Sequence, residues 1–322
     1  MTVQRQPSPP RPGTPKLSIV IPVRNALRWL PGAIASIGPR RDVEIIVVDD
    51  GSTDGTPDYL RSIAAADPRV RRIATAASGP AAARNAGLDA ARAPLTAFLD
   101  ASDRWRFNKL DRQLELHRLR PDLAFSFTDY RRFAESGAEL ARGFARAPVF
   151  AARHAMRQEG FVLDRDAQAQ IYAEPVVAAS TVIASTGLLR AVGGFNTELA
   201  RAETWDLFLH LAACGPVGCV PRPLADQLVR PVPPDSAEAM LRRAARRQVT
   251  EAYAAAVVAL DLEAPRICRR SQTGLEVDGA TLAGRHARAA LLRLGALART
   301  PGREILARVL QPSGAGGTAD RP

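Results

Sequence analysis

Cysteines are scarce in this sequence of 322 residues, and long apolar runs are missing from it. The three cysteines, Cys214, Cys219 and Cys268, are odd in number and are not paired with histidines at metal-ligand spacing. The pattern therefore disfavours a disulfide scaffold and a zinc site, and it fits a reducing compartment. No apolar run reaches the roughly 18 residues of a membrane-spanning helix, and the N-terminal residues lack the apolar stretch of a secretory signal. We therefore expect a cytoplasmic protein.

Acidic residues are outnumbered by basic ones, and the formal net charge of +11 raises the question of nucleic-acid binding. Most of the excess is peripheral: residues 230–322 carry 15 arginines against 9 acidic side chains, and residues 1–16 carry three basic side chains and no acidic one. Residues 17–229 are therefore nearly neutral. The basic segments also contain few aromatic side chains on which bases could stack. Both observations disfavour nucleic-acid binding.

From residue 17 to residue 100, short β-branched runs alternate with alanine-rich stretches of helix length. The pattern predicts strands over 17–23, 43–50, 70–75 and 95–100, with helices over 26–37, 54–66 and 80–91. Continuous apolar strands separated by helices indicate a mostly parallel α/β sheet with both faces covered, as in Rossmann-like folds. Ligands of such sheets bind outside the carboxyl ends of the strands.

After residue 103 the pattern becomes less regular. It predicts helices over 107–119 and 205–214, and strands over 123–128, 176–185 and 217–220. The proline-rich residues 229–234 mark a domain boundary, and beyond them two amphipathic helices are expected, around 237–260 and 281–299. We predict disordered tails over 1–15 and 311–322, a domain over 16–231 with halves at about 16–105 and 106–231, and a C-terminal helical extension over 235–310.

The first two strands end in polar residues at the predicted ligand edge. Pro22 and Asn25 follow the first strand, where the proline either ends the strand or shapes a loop against a ligand. Asp49 and Asp50 end the second strand, and their oxygens could accept hydrogen bonds from a base or a ribose. A turn before a capped helix is the alternative, but it does not account for two adjacent carboxylates.

Two further groups of charged residues could carry chemistry. Arg84 lies in an otherwise apolar helix, where a buried guanidinium would need an anionic partner, either a nucleotide diphosphate or a strand-end carboxylate. The alternative is an exposed arginine. Asp100 and Asp103 follow the fourth strand, three residues apart, and could bind a divalent cation that bridges a diphosphate. The alternative there is a polar turn.

Five motifs in register resemble the family 2 glycosyltransferases of the GT-A fold. They are Ile-Pro-x-x-Asn from position 21, Val-Asp-Asp-Gly-Ser-Thr-Asp from 48, Gly-x-x-x-Ala-Arg-Asn-x-Gly from 79, Phe-Leu-Asp-Ala-x-Asp-x-Trp from 98, and Val-Gly-Gly-Phe from 192 followed by Trp-Asp-Leu-x-Leu from 205. The resemblance covers about residues 16–231. It implies an inverting enzyme that uses Mn²⁺ or Mg²⁺ and transfers a sugar from a nucleotide-sugar, usually a UDP-sugar.

The resemblance also implies roles for the residues at these motifs. Pro22 and Asp50 would lie against the nucleotide base, and Arg84 would help to hold the nucleotide. Asp100 and Asp103 would form the metal and diphosphate site. We also assign Asn25 and Asp49 to the nucleotide-binding set.

The sequence departs from the family pattern at two positions. Ser102 stands where the family usually has a second aspartate of the metal site, so we expect Asp103 to touch the metal. Thr204 stands where the family usually has its catalytic aspartate. A threonine hydroxyl is not a general base near neutral pH, so we expect Glu203, or Asp206, to take that role. The alternative is that both only charge the start of a helix.

The acceptor side of the site is harder to read from sequence. Trp205 either stacks on a sugar or belongs to the core. The acceptor would be a growing polysaccharide, a lipid-linked sugar or a small metabolite. The basic C-terminal helices either dock on anionic lipid at the inner face of the cell membrane or pack on the domain. The alternative function is a fold relative with lost turnover, which binds a nucleotide-sugar or a partner protein.

Overall fold

Apolar β-branched runs form the strands of one mixed sheet in the computed structural model, which describes residues 15–199 and 201–260. In this part of the chain the strands are β1 (Leu17–Val23), β2 (Val43–Asp50), β3 (Val70–Thr75), β4 (Leu95–Phe98), β5 (Arg104–Trp105), β6 (Phe125–Phe133), β7 (Glu139–Leu140), β8 (Phe161–Val162), β9 (Ile183–Ser185) and β10 (Val217–Leu228). Their order is β3-β2-β1-β4-β9-β6-β10-β5, with β7 added to β6 and β8 added to β10.

Helices connect the strands and cover the sheet. They are α1 (Leu30–Ser36), α2 (Thr56–Ala66), α3 (Pro80–Ala90), α4 (Lys109–Leu119), α5 (Pro148–Arg153), α6 (Ala167–Ala173), α7 (Thr186–Ala191), α8 (Glu203–Cys214) and α9 (Ala237–Leu260). Along β1, Ile19 and Ile21 belong to one apolar cluster and Val20 to another. The alternation places a core on each face of the sheet and confirms the predicted α/β architecture.

The direction of the strands brings their carboxyl ends together. Strands β1 to β4 are parallel to one another, as are β6 and β10. Strand β9 is antiparallel to both β4 and β6, so β6 runs in the same direction as β4. The carboxyl ends of β1 to β4, β6 and β10 therefore lie at one edge of the sheet, where a ligand site is expected.

Pro22 lies inside β1, because the strand continues to Val23. The backbone carbonyl of Val20 accepts a hydrogen bond from the N–H of Leu99, the residue after β4. Backbone groups two residues apart in a strand point the same way, so the backbone of Pro22 also faces the β4 side. Pairing between β1 and β4 ends at Val20, however. Proline has no N–H, and at this position β4 no longer pairs with β1. The missing donor therefore costs the sheet no hydrogen bond. Beyond Leu99 no pairing between the two strands is seen in the described residues.

Other predicted elements need correction. The predicted strand over 176–185 is a short 3₁₀ turn at Ala179–Thr181 followed by β9. The predicted strands over 123–128 and 217–220 are parts of longer strands, since β6 continues to Phe133 and β10 to Leu228. Both longer strands reach the ligand edge of the sheet.

The first predicted C-terminal helix is α9, and it packs on the domain. Ala245, Val249 and Tyr253 form its buried face, while Leu241 is 55% exposed. The Tyr172 hydroxyl of α6 donates a hydrogen bond to the Thr250 carbonyl. Within residues 15–199 and 201–260, no helix has both the length and the apolar character needed to span a bilayer. The predicted helix around 281–299 and the predicted tails, apart from Pro15, lie outside the described residues.

Candidate active site

The guanidinium of Arg84 connects the two halves of the predicted domain. Arg84 lies on α3 and is 6% exposed. Its Nη2 donates to Asp100 Oδ1 over 2.8 Å, and its Nη1 donates to Glu203 Oε1 over 3.1 Å. Asp100 follows β4, and Glu203 begins α8. The structure thus confirms that a strand-end carboxylate is a partner of Arg84, and it excludes the exposed position.

Charge pairing dominates the electrostatics of Arg84. Burial by itself would lower the pKa of the guanidinium, but the charges of Asp100 and Glu203 outweigh burial, and the pKa is raised. Two buried atoms of this group, Arg84 Nε and Glu203 Oε2, have no hydrogen-bond partner among the described residues. Buried polar atoms without partners are rare and costly in folded proteins. The pair therefore retains unused hydrogen-bonding capacity.

The ring of Phe195 packs against the guanidinium of Arg84, a contact that we did not predict from the sequence. The guanidinium carbon lies 5.3 Å from the centre of the Phe195 ring. Asn85 holds the backbone of Phe195 in both directions, since its Nδ2 donates to the Phe195 carbonyl and its Oδ1 accepts from the Phe195 N–H, each over 2.8 Å. Gly194, with φ +70°, must be glycine because a Cβ there would lie 2.5 Å from Asn85 Oδ1. The Gly-Gly-Phe motif was the available signal for this contact.

Asp103 is buried next to the site and bonded to two distant segments of the chain. Its side chain is 2% exposed. Its Oδ2 accepts from the Ser180 hydroxyl over 2.7 Å, and its Oδ1 accepts from the Leu228 N–H over 3.1 Å. Burial, with the nearby charge of Asp100, raises the pKa of Asp103 to about 8. These contacts favour a positioning role for Asp103, because a buried carboxyl group with both oxygens already bonded is poorly placed for a cation. The contact of Asp103 with a metal stays a prediction.

Ser180 connects the two acidic residues, although no local motif identified it. Its hydroxyl donates to Asp103 and accepts from the Asp100 N–H over 3.0 Å. Its carbonyl accepts from the indole of Trp105 over 2.7 Å. Ser180 therefore fixes the backbone that presents Asp100 to the site.

Asp100 is the predicted metal ligand that fits the observed geometry. Its side chain is 34% exposed, and its Oδ2 accepts no hydrogen bond from the described residues. In those residues, no cluster of three or more His, Cys, Asp or Glu side chains is arranged to hold a metal ion. Mg²⁺ in nucleotide sites is often bound by one or two carboxylates together with substrate phosphates. Asp100 alone therefore fits a cation held chiefly by a donor diphosphate.

The predicted nucleotide-binding residues around β2 hold the loops of this edge. Asp50 Oδ1 accepts from the Thr75 hydroxyl and the Ser78 N–H, and its Oδ2 accepts from the Gly79 N–H. These bonds fix the start of α3, the helix that carries Arg84. A carboxylate has about four acceptor positions, so Asp50 has one left for a ligand. Its contact with a base stays a prediction.

Asn25 and Asp49 also bind neighbouring loops. Asn25, in the left-handed region at φ 49°, accepts from the Thr53 N–H over 2.7 Å and donates its own N–H to the Ser52 hydroxyl over 2.9 Å. Asp49 accepts from the Ser52 N–H over 3.0 Å. These bonds tie the loop after β1 to the loop after β2. A direct contact of Asn25 or Asp49 with a nucleotide stays a prediction.

The start of α8 places the predicted acceptor residues differently. Asp206 is half-buried and accepts from the Tyr253 hydroxyl of α9 over 3.1 Å. Trp205 is buried in the core, stacks on Tyr172 with ring centres 6.0 Å apart, and donates its indole N–H to the Ile171 carbonyl. This packing favours the core position for Trp205, and its contact with an acceptor stays a prediction.

Comparisons with known proteins show what this chain is similar to. Residues 18–167 match the family model described as Glycosyl transferase family 2. TuaG of Bacillus subtilis (strain 168), a glycosyltransferase assigned provisionally to teichuronic acid biosynthesis, is 38% identical over 137 residues, which are 42% of this chain and 54% of TuaG. The succinoglycan biosynthesis protein ExoO of Rhizobium meliloti (strain 1021) is 41% identical over 106 residues, which are 31% of this chain and 29% of ExoO. The chain thus spans about half the length of TuaG and less than a third of ExoO.

Solved structures share the fold. S. aureus TarS 1-349 in complex with UDP-GlcNAc aligns with a TM-score of 0.59 and 16% identity, over 83% of this chain and 73% of that one. The mannosyltransferase PcManGT from Pyrobaculum calidifontis, in complex with GDP-Man and Mn²⁺, aligns with a TM-score of 0.54 and 20% identity, over 91% of this chain and 84% of that one. The likeness confirms the predicted GT-A fold.

Proposed function

We propose that this chain, which belongs to glycosyl transferase family 2 through residues 18–167, transfers a sugar from a nucleotide-sugar to an acceptor hydroxyl. The observation that carries the proposal is the position of Arg84 between Asp100 and Glu203. The first carboxylate belongs to the predicted donor half and the second to the predicted acceptor half. A transferase needs both groups at one centre, since the bond to the donor breaks where the bond to the acceptor forms.

The donor is a UDP-sugar in this proposal. The nucleotide-binding set lies at the carboxyl edge of the sheet and consists of Pro22, Asn25, Asp49 and Asp50. The fold relative TarS binds UDP-GlcNAc, which supports the choice of UDP. Arg84 contributes positive charge near the diphosphate. Oriented positive charge stabilises the negative charge that builds up on a departing phosphate group.

The transfer inverts the anomeric carbon in a single displacement. The acceptor oxygen attacks this carbon from the face opposite the nucleotide, the bond from the carbon to the diphosphate oxygen breaks, and the hydroxyl proton passes to a carboxylate. Glu203 is our first choice for that base, because its Oε2 is the buried oxygen without a hydrogen-bond partner. Asp206, which lies almost one helical turn later, is the second choice.

A divalent cation, Mn²⁺ or Mg²⁺, completes the proposed donor site. Asp100 would hold it together with the phosphates, and the cation would neutralise charge on the diphosphate. The complex of PcManGT with GDP-Man and Mn²⁺ supports this choice. Asp103 acts in the proposal through Ser180 and the backbone, as a positioning residue.

The acceptor is a surface polysaccharide or a lipid-linked sugar in this proposal, and the enzyme works at the inner face of the cell membrane. TuaG and ExoO, by their names, serve polysaccharide biosynthesis. Helix α9 exposes Met240 and Leu241 beside Arg242 and Arg247, a combination that suits anionic lipid. Co-sedimentation with anionic but not neutral vesicles is the expected result. Equal recovery with both would count against membrane contact.

A binding protein without turnover is the second candidate. Thr204 at the usual position of the base and the engagement of Glu203 by Arg84 favour it. To distinguish the two, the purified chain is incubated with UDP-sugars and Mn²⁺, and released UDP is measured. Slow release for one donor supports the transferase. Tight UDP binding without release, for all donors and acceptors tried, supports the binding protein.

A further inference from the structure

A group of arginines lies at the ligand edge, outside the site described above. Arg132 is on β6, one residue before Phe133, and Phe133 pairs with Leu228 of β10. The N–H of Leu228 is the group that bonds Asp103. Arg132 is therefore close in the sheet to Asp103, which is linked through Ser180 to Asp100.

The segment after β7 brings two more arginines to the same place. The N–H of Gly143 donates to the Tyr130 carbonyl over 2.9 Å. The segment lies so close to Tyr130 that a Cβ on Gly143 would be 2.2 Å from its ring. Arg142 precedes this contact point, and Arg146 follows it by one short helical turn. The hydroxyl of Tyr130 is within electrostatic reach of two arginines, Arg146 and Arg132, and of two carboxyl groups, those of Asp129 and Asp103.

Within the described residues, no hydrogen bond and no ion pair joins the guanidinium of Arg132, Arg142 or Arg146 to another side chain. The carboxyl group of Asp129 is within electrostatic reach of Arg142 but forms no ion pair with it. The Nε of Arg132 is buried without a partner. Burial first, and then repulsion from Arg146, lower the pKa of Arg132. Like charges held together at a partly buried place favour binding of an anion.

We propose that Arg132 and Arg146, assisted by Arg142, bind an anionic group of the acceptor, a phosphate or a carboxylate. The inference rests on the proposed sugar transfer and adds the class of acceptor to it. The arginines lie in the predicted acceptor half, whereas the donor residues lie on β1 to β4. The acceptor anion would thus be fixed on the side of the site opposite the nucleotide.

The test uses the full chain with saturating UDP and three sugars as probes: glucose, glucose 6-phosphate and glucuronate. Isothermal titration gives the Kd of each sugar. We expect one of the anionic sugars to bind at least about tenfold more tightly than glucose, the worth of one charge-assisted hydrogen bond. The R132Q/R146Q variant should lose this preference while its Kd for UDP stays within about threefold of the wild type. R146Q alone, at an exposed position, repeats the test without risk to folding.

A matched control removes two exposed arginines elsewhere. R72Q/R118Q removes two positive charges, one from β3 and one from α4. It should keep the tighter binding of the anionic sugar. The proposal is overturned if wild-type protein binds the neutral and anionic sugars equally, or if R72Q/R118Q loses as much as R132Q/R146Q. It is also overturned if R132Q/R146Q weakens UDP binding as strongly as sugar binding, since the arginines then serve the donor. Failure of UDP to bind the wild type would contradict the proposed function itself, and the same sugars without UDP then test the arginines separately.

Discussion

Arg84 and Glu203 are 119 residues apart in the chain and 3.1 Å apart in the structure. Because Arg84 also binds Asp100, its guanidinium joins a strand end of the donor half to the first turn of α8. Asp50 fixes the start of the helix that carries Arg84, and Phe195 lies under the guanidinium. The four motifs that contribute these residues therefore meet at one edge of the sheet.

Loss of Arg84 should leave a buried charge without a partner. We expect Arg84→Gln to lower the free energy of unfolding by about 3 kcal/mol, because breaking a buried pair exposes the full desolvation cost of Glu203. The R84Q/E203Q double variant should recover about 1 kcal/mol or more of that loss. Urea denaturation followed by circular dichroism measures the wild type, the single variants R84Q and E203Q, and the double variant. Additive effects of the two single variants would contradict the pairing.

Substitutions of Asp100 and Asp103 should have different effects on the affinity for the donor nucleotide. Asp103→Asn preserves the shape of a carboxyl group that is bonded to Ser180 and Leu228, so we expect the Kd for UDP with Mn²⁺ to change by less than about threefold. Asp100→Asn should weaken that binding by about tenfold or more, because the carboxylate that fits the cation is lost. Equal losses in the two variants would place Asp103 on the metal after all.

The position of Phe195 depends on the glycine before it. A Cβ on Gly194 meets Asn85 Oδ1 at 2.5 Å, whereas a Cβ on Gly193 has nothing within 4 Å, and both residues have positive φ. Gly193→Ala therefore measures backbone strain alone, about 1 kcal/mol. Gly194→Ala should cost about 2 kcal/mol more, since it adds a steric clash. Thermal and urea unfolding of the two variants compares them, and equal stability would contradict the close approach.

A buried histidine should make stability depend on pH. His117 of α4 bonds the Ser126 hydroxyl and the Ile183 carbonyl, and burial lowers its pKa to about 4. Its ordinary pKa in an unfolded chain is about 6.5. Between these two pH values the unfolded state holds more protons than the folded state, so the free energy of unfolding falls as the pH falls, by about 3 kcal/mol in total.

His117→Gln provides the control, since it has no titratable group at this position. Stability curves of the wild type and the variant between pH 7 and pH 4 should differ in slope, with the steeper loss in the wild type. Parallel curves would mean that His117 is not buried in the neutral form.

The sequence predicted the parts of this fold that depend on local pattern. Apolar runs identified β1 to β4, and polar residues after them identified the ligand edge. Arg84 could be singled out because a charge in an apolar helix needs a partner, and Asp100 is that partner. These inferences need only the neighbours of each residue along the chain.

The remaining features depend on distant segments. Asp103 is buried because Leu228, at the end of β10, covers it from 125 positions away. Trp205 belongs to the core because Ile171 and Tyr172 of α6 reach it. Ser180 sits in a 3₁₀ turn within a run that reads as a strand. No periodicity reports such contacts, because they arise when separate elements pack together.

Turnover of the Glu203→Gln variant is the most direct test of sugar transfer at this edge. Steady-state release of UDP from the donor should fall by about 100-fold or more, the usual contribution of a general base, while the Kd for UDP stays within about threefold. Asp206→Asn serves as the comparison and should lose much less. Unchanged UDP release in Glu203→Gln would contradict the account.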